Sequence, residues 1–290
     1  MNSFQRKNKD GPTLSCAVPL MIKFYLHTIA KAHHERLVLS TKMKRIILVC
    51  LISLAACSIA WTQLTAPSHE VFGQLLKRNV TADGRVNYVG FIKDSLALNG
   101  YLNLLSSHPP DEKTWTRQEQ MAYWINAYNA FTIRLITKYY PIKSIKDIGS
   151  SIQLPFVNTP WDIKFITIGK EKMDLNNIEH GQLRKKFRDP RIHMVLVCAS
   201  RSCPTLLNEA YDAKTLEEQL TKQTKAFLND SFRNKISPDK PEVSMIFNWY
   251  GMDFKKDGSS VRDFINKYSA IKIKADAIIK YLDYDWQLNQ

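Results

Sequence analysis

Two cysteines, Cys198 and Cys203, are the residues whose type and spacing most directly suggest chemistry. Between them lie two serines and Arg201, and Pro204 follows the second cysteine. The preceding apolar run, residues 192–197, is typical of a buried strand. Because open α/β sheets place their sites at strand ends, this pattern favours a functional loop after residue 197.

A catalytic thiol needs a lowered pKa, which a helix N-terminus, a cation or a histidine base can supply. Cys203 precedes Pro204, and proline favours the first helical position, so the pattern predicts a short helix capped by Cys203. Arg201 supplies a nearby cation, and His180 is the candidate base. The alternative is a structural pair in which Cys198 and Cys203 are bonded to each other.

Two asparagines are candidates for the group that would orient the imidazole. Asn126 and Asn129 lie three residues apart on a predicted helix, so they project from one face among aromatic residues. Glu179 is adjacent to His180 in the sequence, and adjacent helix positions do not face each other. One interpretation is a Cys-His-Asn arrangement. The other is that both amides bond the buried backbone of a neighbouring loop.

Three further side chains are candidates for substrate binding: Arg201, which would hold an anionic group, Glu179 and His193. His193 alternates with apolar positions of the predicted strand, which also fits a core or rim histidine. No metal site is predicted, since the two cysteines are spaced more widely than in a zinc knuckle and no second cysteine pair occurs. No Gly-rich phosphate loop, Gly-x-Ser-x-Gly elbow or His-Glu-x-x-His helix is present, and no cofactor is expected.

Periodicity predicts the elements that position these residues. Thr116 and Glu119 form a capping box that opens the strongest predicted helix, and the helices are expected at residues 69–79, 91–106, 117–140, 175–187, 212–228 and 261–268. Short strands are expected at residues 162–168 and 192–197. We therefore predict an α/β or α+β fold, a single domain over residues 65–290 with helices around a small mixed sheet.

The N-terminal region has the features of a targeting segment. Residues 43–60 combine Lys44 and Arg45 with an apolar run, as in a secretory signal, and residues 1–42 resemble an upstream extension or a long n-region. Cys57 ends a lipobox-like sequence and is the candidate lipidation site; ordinary cleavage and an uncleaved membrane anchor are the alternatives. We expect an exported domain, in the periplasm or at the cell surface, associated with the membrane through this segment.

The charge distribution argues against a nucleic-acid partner. The chain has a formal net charge of +14, but residues 1–57 hold nine basic and two acidic residues and so account for half of it. The main basic cluster elsewhere, within residues 184–191, is short and has no nucleic-acid-binding signature.

Several ordered motifs resemble one protein family. They are Tyr123-Trp124-Ile125-Asn126-Ala127-Tyr128-Asn129-Ala130-Phe131, Ile178-Glu179-His180, Asp189-Pro190-Arg191-Ile192-His193, the segment from Cys198 to Pro204, Phe247-Asn248-Trp249-Tyr250 and Tyr284-Asp285-Trp286. Together they resemble the domain of unknown function family DUF547 over residues 115–286. The resemblance implies a domain but no established reaction.

Two functional hypotheses follow. The first is a cysteine-dependent hydrolase or acyl transferase of the cell envelope acting on a peptide or amide, with Cys203 or Cys198 as nucleophile. The second is a non-catalytic envelope module in which a Cys198–Cys203 disulfide fixes the loop and aromatic helices present a surface to a partner or glycan.

Overall fold

The computed structural model describes residues 65–149, 159–255 and 258–290, together with Lys31, Met43, Arg45 and Leu48. The chain divides into two units, residues 1–62 and 63–290, and every element below belongs to the second. The predicted signal segment and the candidate lipidation residue Cys57 lie outside the described residues, apart from Met43, Arg45 and Leu48. Among the described residues, no helix is long and apolar enough to span a membrane.

The second unit is mostly helical. In chain order its α helices are α1 (Glu70–Asn79), α2 (Tyr88–Lys93), α3 (Ser95–Ser107), α4 (Arg117–Tyr139), α5 (Leu216–Asn229), α6 (Ile246–Trp249) and α7 (Val261–Tyr268). The predicted helix at residues 91–106 is in fact divided into α2 and α3, which meet at Asp94. The other helices expected from periodicity are present within a few residues of their predicted ends.

Helix α4 forms the centre of the main core. The Thr116 hydroxyl accepts a hydrogen bond from the Glu119 N–H, and the Glu119 carboxylate accepts one from the Thr116 N–H, so the predicted capping box is confirmed. Most residues between Met121 and Ile136 are buried, as in a helix covered on all sides. Helices α2 and α3 and the segment Asn177–Phe187 pack against α4.

The region after α4 differs most from prediction. Asn177–Phe187, which was expected to be an ordinary helix, is a π helix. The predicted strand at residues 192–197 is wrong: Pro190–Met194 is a 3₁₀ helix, and the chain is irregular from there to α5. Asp189 explains the start of the 3₁₀ helix, because its side chain accepts a hydrogen bond from the Arg191 N–H while Pro190 occupies the first position.

In the part of the chain that the structure describes, the β structure consists of two separate pairs of very short strands, so the predicted single mixed sheet is wrong. Strands β1 (Ile166–Ile168) and β2 (Glu171–Met173) are antiparallel, and β3 (Glu242–Val243) and β4 (Lys280–Tyr281) are parallel. The strand expected at residues 162–168 is reduced to its last three residues, since Pro160–Asp162 is a 3₁₀ turn.

The C-terminal segment ties distant parts of the chain together. The backbone of Leu288 donates to Lys143 O at 2.9 Å, Gln287 O accepts from the Arg201 N–H at 2.8 Å, and Asn289 N–H donates to Ala199 O at 3.1 Å. These bonds satisfy backbone groups of loops that have no neighbouring strand. The tail therefore supplies the backbone hydrogen-bond partners that a neighbouring strand would supply in an α/β fold.

A partly buried imidazole lies between the first helices. His69 Nδ1 is 2.8 Å from the Tyr101 hydroxyl. Burial lowers the pKa of His69 from about 6.5 to about 4, although the Asp212 carboxylate acts in the opposite direction. Burial also raises the pKa of Tyr101 well above its ordinary value, so the hydroxyl stays protonated beside the neutral imidazole.

We predict that His69 makes stability fall with decreasing pH. Between pH 6.5 and about pH 4 the unfolded chain binds a proton at His69 that the folded chain does not, so the free energy of unfolding drops by up to about 1.4 kcal/mol for each pH unit. Urea denaturation at pH 7 and pH 5 measures the drop. His69→Gln should reduce it, whereas Val71→Ala, on the exposed side of α1, should not; an equal drop in both variants would contradict this assignment.

Candidate functional site

The loop singled out by its cysteines is closed by a bond between them. Cys198 and Cys203 form a disulfide, with their Cα atoms 6.2 Å apart. Cys203 is almost fully buried, whereas Cys198 is partly exposed. No helix begins at Pro204, so the expected capping role of Cys203 is wrong; the Cys203 N–H instead bonds Ser200 O in a turn.

The hydroxyl of Tyr284 lies over this disulfide. It is 3.4 Å from the sulfur of Cys198, 3.4 Å from that of Cys203 and 3.1 Å from the Ser200 hydroxyl, which donates a hydrogen bond to it. Burial raises the pKa of Tyr284 above its ordinary value, so the phenol remains neutral at physiological pH. The C-terminal tail is thus connected to the disulfide through a side chain as well as through its backbone.

Four aromatic rings, which we call the aromatic surface, extend outward from Tyr284. The ring of Tyr284 is 4.6 Å from Trp286 and 4.8 Å from Trp249, and Trp161 lies 6.0 Å from Trp286. Trp249 is 46% exposed, and the other three rings are partly exposed. The Lys146 ammonium stands 4.1 Å from the centre of Trp286.

Glu179 lies at the inner edge of this group. It is 5% exposed, and its carboxylate hydrogen-bonds the side chain of Tyr250. Burial and the Glu179 charge together raise the pKa of Tyr250, and the same two causes raise that of Tyr128. The π helix therefore places the Glu179 carboxylate among the protonated phenol groups of Tyr128 and Tyr250.

A charged network continues from Tyr250 to both histidines. His193 stacks on Tyr250 with ring centres 3.9 Å apart, and its Nε2 is 2.8 Å from Asp253. Arg184 bonds the same carboxylate at 2.6 Å and places a guanidinium nitrogen 3.0 Å from His180 Nδ1. Burial alone would raise the pKa of Asp253, but the hydrogen bonds from His193 and Arg184 outweigh it and hold that pKa well below its ordinary value.

Asn126 and Asn129 hold backbone rather than an imidazole. The Asn126 amide donates to Tyr211 O at 2.8 Å and accepts from the Tyr211 N–H at 2.9 Å. Asn129 donates to Val195 O and accepts from the Val197 N–H, both at 3.0 Å. Each amide thus uses its donor and its acceptor on the irregular segment that carries the cysteines.

The structure therefore brings together part of the predicted set. Glu179, His180, His193, Cys198 and Cys203 belong to one connected group around Tyr250 and Tyr284. Arg201 points elsewhere: its guanidinium pairs with Asp285 at 3.1 Å and lies over Phe232. Sequence reasoning did not assign roles to Tyr250 and Tyr284, although both lie in motifs that carry the family resemblance, and it offered no signal for Asp253.

The described residues contain no group of three or more His, Cys, Asp or Glu that could hold a metal ion. Prominent cavities among the described residues lie at other places. One, of about 1110 Å³, is lined by residues from the start of α1 and the loop 208–214, and the other, of about 800 Å³, by residues around Arg201. Neither is lined by a ring of the aromatic surface.

The fold and the site define a mostly helical domain with a disulfide-fixed loop beneath aromatic rings. Residues 112–228 match the family model described as "Protein of unknown function, DUF547", so the chain carries a DUF547 domain. The match includes α4, the π helix, the disulfide and α5, and it ends before Trp249 and Tyr284. Comparisons with curated proteins and with solved structures found no match.

We predict that Asn129 is a structural clamp. Asn129→Ala leaves Val195 O and the Val197 N–H buried without partners, which should lower the free energy of unfolding by about 2–4 kcal/mol. Chemical denaturation measures the loss. Asn103→Ala, at an exposed position of α3, is the matched control and should change stability by less than about 0.5 kcal/mol. Equal stability of the two variants would contradict the clamp.

Proposed function

We propose that the protein is an exported, non-catalytic module of the cell envelope that binds a glycan through the aromatic surface. The observation that carries this proposal is the mutual contact of Trp249, Tyr284 and Trp286 beside a disulfide-fixed loop, with the Trp249 ring nearly half exposed. Single exposed apolar residues are common, but several aromatic rings in contact at a surface are typical of recognition.

The shape of the surface favours a sugar over a peptide side chain. The Trp249 and Trp286 rings are stacked with their centres 5.7 Å apart, and Trp249 is nearly half exposed, so the surface offers ring faces on which a sugar can stack. Aromatic faces are electron-rich and attract the polarised C–H groups of a pyranose ring. The Lys146 ammonium lies over the Trp286 ring, and Asp285 precedes Trp286 in the sequence. Both residues supply polar groups for the hydroxyls of a sugar.

The state of the cysteines supports a binding role. The nucleophile in cysteine catalysis is a free thiolate, and both sulfurs are engaged in the disulfide. The two asparagines that would orient a base are occupied with backbone. An exported domain would retain such a bond in an oxidising compartment.

We predict that Trp249→Ala lowers glycan affinity at least about tenfold, equivalent to about 1.4 kcal/mol, because it removes the most exposed stacking face. The probes are peptidoglycan fragments and N-acetylglucosamine hexamer, measured by calorimetry and tryptophan fluorescence. Tyr139→Ala removes an exposed aromatic ring at the end of α4, away from the aromatic surface, and should bind like the parent. Equal affinity of Trp249→Ala and the parent, or no binding by the parent, would overturn the proposal.

A second candidate is thiol chemistry after reduction of the disulfide, as a hydrolase or acyl transferase acting on an envelope peptide or amide. The surroundings of Cys198 favour it: this sulfur is partly exposed, with the Ser200 and Tyr284 hydroxyls 3.2 and 3.4 Å away, where both could donate to a thiolate. His180, on the adjoining π helix, remains the candidate base, and Asn126 and Asn129 would then act by fixing the loop.

We predict that iodoacetamide leaves both cysteines unlabelled until a reductant is added, and afterwards labels Cys198 before the buried Cys203. Mass spectrometry of tryptic peptides gives the order and the rates. Rapid labelling of Cys198 at neutral pH, slowed in Ser200→Ala, would support thiol chemistry. Slow labelling that is unchanged in Ser200→Ala would contradict thiol chemistry and leave the binding module as the remaining candidate.

A further inference from the structure

A surface cavity, separate from the aromatic surface, lies where the tail meets four other segments. The cavity of about 800 Å³ is lined by the turn 83–85, Lys143, Arg201, the turn after α5 and the tail 287–290. It shares no lining residue with the aromatic surface. Its volume lies in the range of small-molecule sites.

The lining of this cavity is strongly basic. Arg85, Lys143, Arg201 and Arg233 contribute four cations, against one acidic lining residue, Asp83. Arg85 pairs with Asp83, Arg201 with Asp285 and Arg233 with Asp230. The Lys143 ammonium has no ion pair among the described residues. Three of the four lining cations are thus already neutralised, and the cavity can offer an anion the Lys143 ammonium together with Arg85 and Arg201, whose ion pairs are exposed.

The cations are attached to a rigid frame. The tail bonds three of the four segments that bear them: Leu288 N–H donates to Lys143 O, Gln287 O accepts from Arg201 N–H, and Asn289 O accepts from the Val86 N–H, next to Arg85. Arg233 is itself largely buried, and its guanidinium donates to Cys203 O and Arg201 O. Such fixed positions reduce the entropy lost when a ligand is bound.

We propose that this cavity binds a phosphate-bearing anion. Guanidinium groups match the oxygens of phosphate in a two-pronged geometry, and a free ammonium adds a point charge. Arg201 is half exposed and can exchange Asp285 for a ligand oxygen without loss of buried structure. Two sources share this chemistry, a soluble phosphate ester and the headgroup of an anionic phospholipid.

The test uses the full chain at low salt with two probes, inorganic pyrophosphate followed by calorimetry, and vesicles of phosphatidylcholine with or without phosphatidylglycerol followed by sedimentation. The cavity variant is Lys143→Gln/Arg201→Gln. The control, Lys222→Gln/Lys225→Gln, removes the same charge from exposed positions of α5. Circular dichroism melting establishes that both variants are folded.

We predict that the cavity variant binds at least about tenfold more weakly than the control. Loss of pyrophosphate binding supports the site and indicates a soluble ester. Loss of the excess binding to phosphatidylglycerol vesicles, with no pyrophosphate binding by any form, supports the site and indicates a headgroup. An equal reduction in cavity variant and control, or no binding of either probe by the parent, overturns the proposal.

Discussion

A long irregular segment, residues 195–215, is buried or half-buried beside α4 over much of its length, and its backbone groups need hydrogen-bond partners that no sheet provides. Asn126 and Asn129 meet that need from one face of the helix, since each amide bonds one backbone N–H and one carbonyl. An unpaired buried group costs about 1–3 kcal/mol, so these bonds determine whether the segment can be buried at all.

The rest of the site depends on that placement. Once α4 holds the backbone at Val195 and Val197, the chain delivers Cys198 to the surface, where the disulfide and the tail complete the loop. The Tyr284 hydroxyl then contacts both sulfurs, and its ring begins the aromatic surface. The same tail closes the basic cavity on its other side, so one short segment contributes to two distinct surfaces.

The sequence predicted local features better than long-range ones. The helix at Arg117–Tyr139 could be predicted because its capping box and apolar residues are local signals. The resemblance to DUF547 rested on motifs within and beyond the matched residues 112–228. The apolar run before Cys198 is typical of a strand, but a short buried run has no periodicity that distinguishes a strand from irregular chain. What decided its conformation was Asn129, 68 positions earlier than Val197.

The network around His193 could not be predicted from the sequence, for a similar reason. Asp253 belongs to none of the motifs that carry the resemblance. Only folding places its carboxylate 2.8 Å from the His193 imidazole and 2.6 Å from Arg184. Residue types allow both interpretations of the asparagine pair, because the partners of the two amides are backbone groups of Tyr211, Val195 and Val197, which carry no side-chain signal. The composition likewise shows an excess of basic residues, but it does not show that four of them lie around one cavity.

Amide hydrogen exchange tests the central claim, that α4 asparagines hold the buried loop, most directly. The N–H groups of Val197 and Tyr211 donate only to asparagine side chains, so they report on these bonds without changing the sequence. We predict exchange as slow as that of the core amides of α4, governed by global unfolding. Exchange of either amide at the rate of an unprotected loop would contradict the account.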